Sequence, residues 1–332
     1  MQNKEIFEKF KELSKEGCND KKFNVINLAN TKHKLGVSKE GYPKFFICTS
    51  DKSSSTPNRV LDKLTVEYNL SCTFIDDNAS DEVNYYSVVS LTSSDVLLQE
   101  DFIDIMLLII QRLGELPSKR QISIEVENLI SIFSAMALPP KKKLQGIWTE
   151  LLIIERSLYP EILINAWHED PKAKYDFTYG RDKLEVKSTQ SEVRKHHFSL
   201  DQITPSTHSN VLVASAIVRE SAHGNGGLSV HDLIDRVNAR ININARMRVF
   251  KIVADTIGSD LQRYNNTCFD YIGACDTLKF YDAKDIPGID KQGIQPGVSA
   301  VGFDSVLVED QDVQNSNALA YWVNSPLYKS IF

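Results

Sequence analysis

Two short segments in the second half of the chain alternate apolar and polar residues, and this period of two predicts a β-hairpin. Residues 175–179 place three aromatic side chains on one face, and residues 183–187 place two aliphatic side chains there. The polar members, which share the opposite face, are Asp176, Thr178, Glu185 and Lys187. A two-residue turn at 180–181, with Gly first, pairs residue 179 with 182 and residue 176 with 185.

This register brings the carboxylates of Asp176 and Glu185 side by side on neighbouring strands. Like charges directly opposite one another destabilise a sheet, so the pair requires a compensating cation. A divalent metal ion is the first candidate, and Lys187, two residues further on, is a second. The arrangement is typical of a metal-dependent phosphodiesterase. The alternative is an exposed hairpin with solvated charges, because an acidic residue two positions before a lysine also occurs at three other places in the chain.

Apolar residues recur every three or four positions between 141 and 158, which predicts a helix with one apolar stripe. The stripe consists of Leu144, Ile147, Leu151, Ile154 and Leu158. Glu150 lies on or beside it, and a carboxylate there is costly unless it is paired or bound to a metal ion. The alternative is a flanking residue whose carboxylate reaches water.

Two basic runs are predicted to be solvated. Lys141–Lys143 lies at a helix N-terminus, where the helix dipole disfavours cations. We interpret it as a solubilising linker, with a patch that faces DNA as the alternative. The run Arg194–His197 is predicted to be a solvated basic loop, and its alternative role is contact with phosphates.

The pattern also predicts the order of the elements. After helix 141–158 come three strands, a short helical or irregular piece, a further strand and a helix, at 162–167, 174–179, 183–188, 200–204, 211–218 and 229–238. Other predicted elements are helices at 1–15, 96–114, 125–137 and 245–257, strands within 34–90 and 298–308, and an exposed loop at 51–57. Pro139-Pro140 marks a boundary between an N-terminal region, 1–138, for recognition or partner docking and a second domain, 139–332.

This order resembles the core of the PD-(D/E)XK nucleases, and four motifs carry the likeness. They are Gly146–Leu151, Asp176-Phe177, Leu184–Thr189 and His197–Gln202, which are similar to segments of the PD-(D/E)XK motif proteins found beside bacterial restriction and phage-defence genes. The sequence departs from the family pattern in two places, since Tyr175 rather than Pro precedes Asp176, and Thr149 replaces a small Gly. Neither departure affects an expected metal ligand.

The resemblance implies a mixed α/β, restriction-endonuclease-like fold and metal-assisted hydrolysis of DNA. Asp176, Glu185 and the carbonyl of Val186 would hold Mg²⁺, for which Mn²⁺ can substitute, and Glu150 would bind directly, through water or at a second metal ion. Lys187 would orient the attacking water, and Gln202 would assist by hydrogen bonding nearby.

The same sequence features are compatible with two other functions. One is a non-catalytic DNA-binding or scaffold subunit of a multi-gene defence complex, and the other is a structure-specific repair nuclease. A methyltransferase or ATPase encoded nearby is the expected partner in a restriction system. The net charge of −6 argues against a protein that passively coats nucleic acid. Five cysteines without framework spacing and an N-terminus without an apolar signal core predict a cytoplasmic protein, with no membrane association.

Overall fold

The computed structural model describes most of the chain, with gaps. The described residues are 2–15, 24–28, 31–49, 57–74, 83–170, 173–204, 208–222, 226–260, 264, 266–315 and 322–332. They divide into two compact units, Met1–Ala135 and Met136–Phe332. Residues 51–56 of the predicted exposed loop lie outside the described residues. Within the described ranges, no helix combines the length and the apolar character needed to cross a membrane.

The described residues of the first unit form one antiparallel sheet and three helices. Its elements are α1 (Gln2–Lys15), β1 (Val25–Asn27), β2 (Lys34–Val37), β3 (Pro43–Cys48), β4 (Arg59–Val60), β5 (Leu64–Thr73), β6 (Val83–Leu91), α2 (Val96–Leu113) and α3 (Lys119–Met136). The strand order is β1-β2-β3-β6-β5-β4. Helix α3 begins six residues before its predicted start, because Ser118 and Gln121 cap its N-terminus through mutual hydrogen bonds.

The second unit carries the residues predicted to be functional. Its elements are α4 (Leu144–Arg156), α5 (Pro160–Ala166), β7 (Phe177–Tyr179), β8 (Asp182–Thr189), β9 (Lys195–Ser199), α6 (Leu200–Ile203), β10 (Asn210–Ile217), β11 (Glu220–Ser221), β12 (Gly227–Leu228), α7 (Val230–Asn238), α8 (Ile243–Ile257), β13 (Cys268–Asp270), α9 (Tyr271–Asp276), β14 (Lys279–Asp282), β15 (Gly302–Val306) and α10 (Pro326–Lys329). The fold is mixed α/β, as predicted, and is consistent with a restriction-endonuclease-like fold.

A four-stranded sheet of order β14-β10-β8-β7 forms the centre of this unit. Strand β8 is antiparallel to β7 and parallel to β10, and β10 is antiparallel to β14. Strand β10 is rich in buried aliphatic side chains, as expected for a strand covered on both faces, whereas β8 buries only Leu184 and Glu185 and is otherwise half-buried. Tyr179 pairs with Asp182 and Phe177 with Leu184, so the hairpin has the register that the sequence predicted.

One predicted strand is wrong. Residues 162–167 belong mainly to helix α5, and Trp167 contributes a single bridge to Phe177 rather than a strand. Pro160 fits the first turn of a helix, where its missing amide hydrogen is not needed. Leu163 and Ile164 follow it on one buried helical face. The expected three-strand meander is therefore a two-strand hairpin with one additional bridge.

The second basic run also differs from the prediction. Residues 195–199 form β9, which pairs with β15, and are not a solvated loop. Arg194 and His196 are buried, whereas Lys195 and His197 are exposed, because alternate side chains of a strand point to opposite faces. The Arg194 guanidinium donates to the carbonyl of Ser215 at 2.7 Å, so it serves the interior of this unit.

Candidate active site

Asp176 lies at the entrance to the hairpin, one residue before β7 begins. The turn after β7 contains Gly180, whose φ of +56° suits a residue without a side chain. Asp176 Oδ2 accepts a hydrogen bond of 2.8 Å from the amide of Val186. Because Val186 follows Glu185 directly on β8, this bond holds the Asp176 carboxylate next to the second predicted acid.

Glu185 is buried in the middle of β8 and has two side-chain partners. Its Oε1 accepts from the Lys187 ammonium at 2.7 Å and from the amide nitrogen of Gln202 at 2.8 Å. Lys187 is two residues away on the same face of the strand, as the alternation predicted. Burial, and then the negative charge of Asp176, raise the pKa of the Glu185 carboxyl, while the charge of Lys187 opposes the shift.

Gln202 reaches Glu185 because the short helix α6 is firmly capped. The side-chain oxygen Oε1 of Gln202 accepts from the backbone amide of Ser199, and its side-chain nitrogen Nε2 also donates to the backbone carbonyl of Lys174. Lys187 has a second contact, since its ammonium lies 5.2 Å from the centre of the Phe198 ring. Both residues therefore contact Glu185 with side chains whose positions are set by their neighbours.

Glu150 projects from the buried side of α4 and is 3 % exposed, so it is not a flanking residue that reaches water. Its Oε2 accepts a 2.6 Å hydrogen bond from the indole nitrogen of Trp167, and its Oε1 accepts a 2.8 Å bond from the Lys142 ammonium. Burial, followed by the charge of Asp176, raises the pKa of Glu150. The two partners satisfy a carboxylate that would otherwise be costly to bury.

The Lys142 side chain connects Glu150 on α4 with Asp176 beside β7. Its ammonium also donates to Asp176 Oδ1 at 2.6 Å, so one nitrogen bridges the carboxylates of Glu150 and Asp176. The two contacting oxygens are consequently no more than 5.4 Å apart, the sum of these two distances. The interpretation of Lys142 as part of a solubilising linker is wrong, because its side chain turns inward to the acidic cluster.

Sequence reasoning missed Lys142 and Trp167 as members of this site. Lys142 precedes a helix and belongs to a run of three lysines, which is the usual pattern of a solvated segment. Trp167 was predicted only as the end of a strand. The one available signal was chemical: an acid on an apolar helix face requires a cation or a donor, but the sequence does not say which residue supplies it.

The geometry can be tested against the needs of a magnesium-type ion. Mg²⁺ is held by one or two carboxylates together with waters, and Glu150 and Asp176 already share one cation, the Lys142 ammonium. Among the residues that the structure describes, no group of three or more His, Cys, Asp or Glu side chains is arranged to hold a metal ion. The donor set therefore fits an ion bound by a carboxylate pair and water.

Comparison with known proteins supports the family resemblance. Residues 6–307 match the family model described as "Putative PD-(D/E)XK family member, (DUF4420)". No curated protein and no solved structure matches the chain. Because the matched residues span most of the chain, the resemblance drawn from the four motifs is confirmed. The chain belongs to the DUF4420 family of PD-(D/E)XK proteins.

Proposed function

We propose that this protein is a divalent-metal-dependent DNA endonuclease that hydrolyses phosphodiester bonds in a restriction or phage-defence system. The observation that supports it best is the bridging of Glu150 and Asp176 by one cation, beside a Glu185–Lys187 pair on the adjoining strand. The family match supports membership of the PD-(D/E)XK nuclease superfamily. Metal dependence, DNA as the substrate and the defence role are our proposal.

Each side chain has a defined task in this proposal. Glu150 and Asp176 would hold Mg²⁺ or Mn²⁺ as a carboxylate pair, and Glu185 and the carbonyl of Val186 are the further ligands that the family resemblance implies. When bound, such an ion polarises the scissile phosphate and lowers the pKa of a coordinated water. Lys187 orients that water and stabilises negative charge that develops on the phosphate. Gln202 keeps the Glu185 carboxylate in place through its 2.8 Å hydrogen bond.

The partners follow from the proposed reaction. DNA is the substrate, and a methyltransferase or ATPase encoded nearby would complete a restriction system. A structure-specific repair nuclease would use the same residues on another DNA structure, so the genes beside this one distinguish these two roles. The non-catalytic scaffold is the outcome expected if the carboxylates and Lys187 prove dispensable.

The first test concerns metal binding. Asp176→Ala removes a carboxylate from the pair, so calorimetry should show that the tight Mn²⁺ binding of the unmodified protein is lost. Asp182→Ala is a matched control on the same hairpin, because Asp182 instead accepts a hydrogen bond from Asn210 at 2.8 Å. Equal Mn²⁺ affinity in the two variants would contradict the assigned ligands.

The second test separates catalysis from scaffolding. Lys187→Ala should retain Mn²⁺ binding, since a lysine is not a metal ligand here, but should lower Mg²⁺-dependent DNA cleavage by about 10²–10⁴-fold. Lys183→Ala is the matched control, because Lys183 lies on the same face of β8 and donates instead to the carbonyl of Gly180. Full phage restriction by both Lys187→Ala and Asp176→Ala, in cells that carry the whole locus, would leave the scaffold function as the better explanation.

A further inference from the structure

Lys142 is held as a bridging cation would be held. Its ammonium lies 2.8 Å from Glu150 and 2.6 Å from Asp176, and the Lys142 side chain is 30 % exposed while those carboxylates are 5 % and 13 % exposed. Charge-assisted bonds of this length are among the stronger hydrogen bonds in proteins. The lysine thus neutralises part of an acidic cluster that is almost closed to solvent.

The same carboxylate pair is what a divalent ion would bind under the proposed function. Two cations cannot occupy the space between oxygens at most 5.4 Å apart, because their mutual repulsion would be large in this buried setting. Burial by itself lowers the pKa of Lys142, yet the charges of Glu150 and Asp176 outweigh burial and raise it. Through its two short contacts, the ammonium therefore competes with the ion for the same oxygens.

The surroundings show where the displaced side chain can go. Lys142 lines a small cavity of about 10 Å³ together with Glu150 and Asp176, which is about the smallest space that admits one water molecule. It also lines a larger open cleft of about 620 Å³, whose wall includes Lys141 and Lys143. Lys142 lines both spaces, so the cleft offers room for its side chain once the ammonium leaves the carboxylates.

We propose that Lys142 is a resident cation of the Glu150–Asp176 pair, which a divalent ion must displace, and that the displaced ammonium turns into the cleft beside Lys141 and Lys143. This inference rests on the proposed metal site. It goes further, because it makes the lysine a competitor that sets metal affinity and couples metal loading to the positive charge of the cleft.

Calorimetric titration with Mn²⁺ tests the competition directly. Lys142→Met keeps the length of the side chain but removes the competing charge, so we expect Mn²⁺ affinity to rise by about tenfold to a hundredfold. Lys143→Met is the control, since it removes the same charge from the same cleft without touching the carboxylates. Equal gains in both variants, or no gain in Lys142→Met, would overturn the proposal.

Lys142→Met leaves two buried carboxylates without their cation, so a second measurement uses the unmodified protein. Acetylation with a lysine-selective reagent, read by mass spectrometry, should label Lys142 faster when Mn²⁺ is added, because its ammonium leaves the carboxylates for the cleft. Lys143 should be labelled at the same rate with and without Mn²⁺. An unchanged rate at Lys142 in protein that has bound Mn²⁺ would show that the ion does not displace it.

The outcomes distinguish this inference from the proposed function. Mn²⁺ binding that depends on Asp176 but not on Lys142 would retain the metal site and reject the competition. No Mn²⁺ binding by either the unmodified protein or Lys142→Met would reject both. Binding by Lys142→Met alone would support both, with the lysine as the stronger occupant.

Discussion

His196 provides a quantitative prediction about stability and pH. It is 5 % exposed, and its Nε2 lies 2.8 Å from the hydroxyl of Ser215. That hydroxyl accepts from the Arg194 guanidinium at 3.0 Å, so its own hydrogen is free to be donated to a neutral imidazole. Burial, followed by the positive charges of Lys187 and Arg194, lowers the pKa of His196 from 6.5 to about 4.

The sign of the effect follows from which state takes up the proton. Between pH 6.5 and about 4, the unfolded chain protonates His196 while the folded protein keeps it neutral, so stability is lost as the pH falls. On acidification from about pH 7.5, this histidine alone removes about 2 kcal/mol of unfolding free energy by about pH 5, and about 3 kcal/mol by about pH 4. Above about pH 7.5 its contribution hardly changes with pH.

Urea unfolding followed by tryptophan fluorescence measures this loss. All three tryptophans, at 148, 167 and 322, lie in the second unit, so the signal reports the part of the chain that contains His196. His196→Gln removes the titrating group, and the variant should lose about 2 kcal/mol less than the unmodified protein between about pH 7.5 and about pH 5. His197→Gln, at the neighbouring exposed position, should keep the full loss. Identical pH dependence in His196→Gln and the unmodified protein would refute the reasoning.

Two further predictions concern the framework around the site. Gly258→Ala should lower the unfolding free energy by about 3 kcal/mol or more, because the added Cβ would lie 2.2 Å from the carbonyl oxygen of Leu138. Gly180 has the same φ of +56° but open space around it, so Gly180→Ala should lower the unfolding free energy by only about 1 kcal/mol. Equal costs would contradict the steric argument. Tyr328→Phe should lower the unfolding free energy by about 1–3 kcal/mol, since the Tyr328 hydroxyl lies 2.8 Å from the carbonyl oxygen of Asn210 and also bonds the backbone of β8. Urea unfolding measures this change, and an unchanged unfolding midpoint would contradict the prediction.

The hairpin at 175–187 is the part of the site that the local sequence pattern predicted best. Alternation of apolar and polar residues, with a glycine at the turn, was enough to predict the pairing of Tyr179 with Asp182 and the shared face of Glu185 and Lys187. This worked because the side-chain period of a strand is two, and a shift by one residue would expose the apolar set. The buried position of Glu150 followed from helix arithmetic for the same kind of reason.

Local pattern failed where two periods were both possible. The segment 162–167 has enough aliphatic residues for either a strand or a helix, and a short apolar run does not distinguish them. Its burial against the rest of the second unit selected the helix, with Pro160 in the first turn. The burial of His196 was likewise decided by its pairing with β15, which comes from residues about a hundred positions further on.

From the sequence by itself we predicted the candidate site residues: periodicity gave Glu150, Asp176, Glu185 and Lys187, and the family resemblance gave Gln202. Periodicity could do so because it acts between neighbours along one helix or strand. Only the tertiary structure decided what neutralises those acids. The bond from Lys142 to Asp176 spans 34 positions, and the indole of Trp167 reaches Glu150 across 17. Such contacts depend on how separate elements pack. The pattern of apolar and polar residues does not show in which direction a long lysine side chain turns.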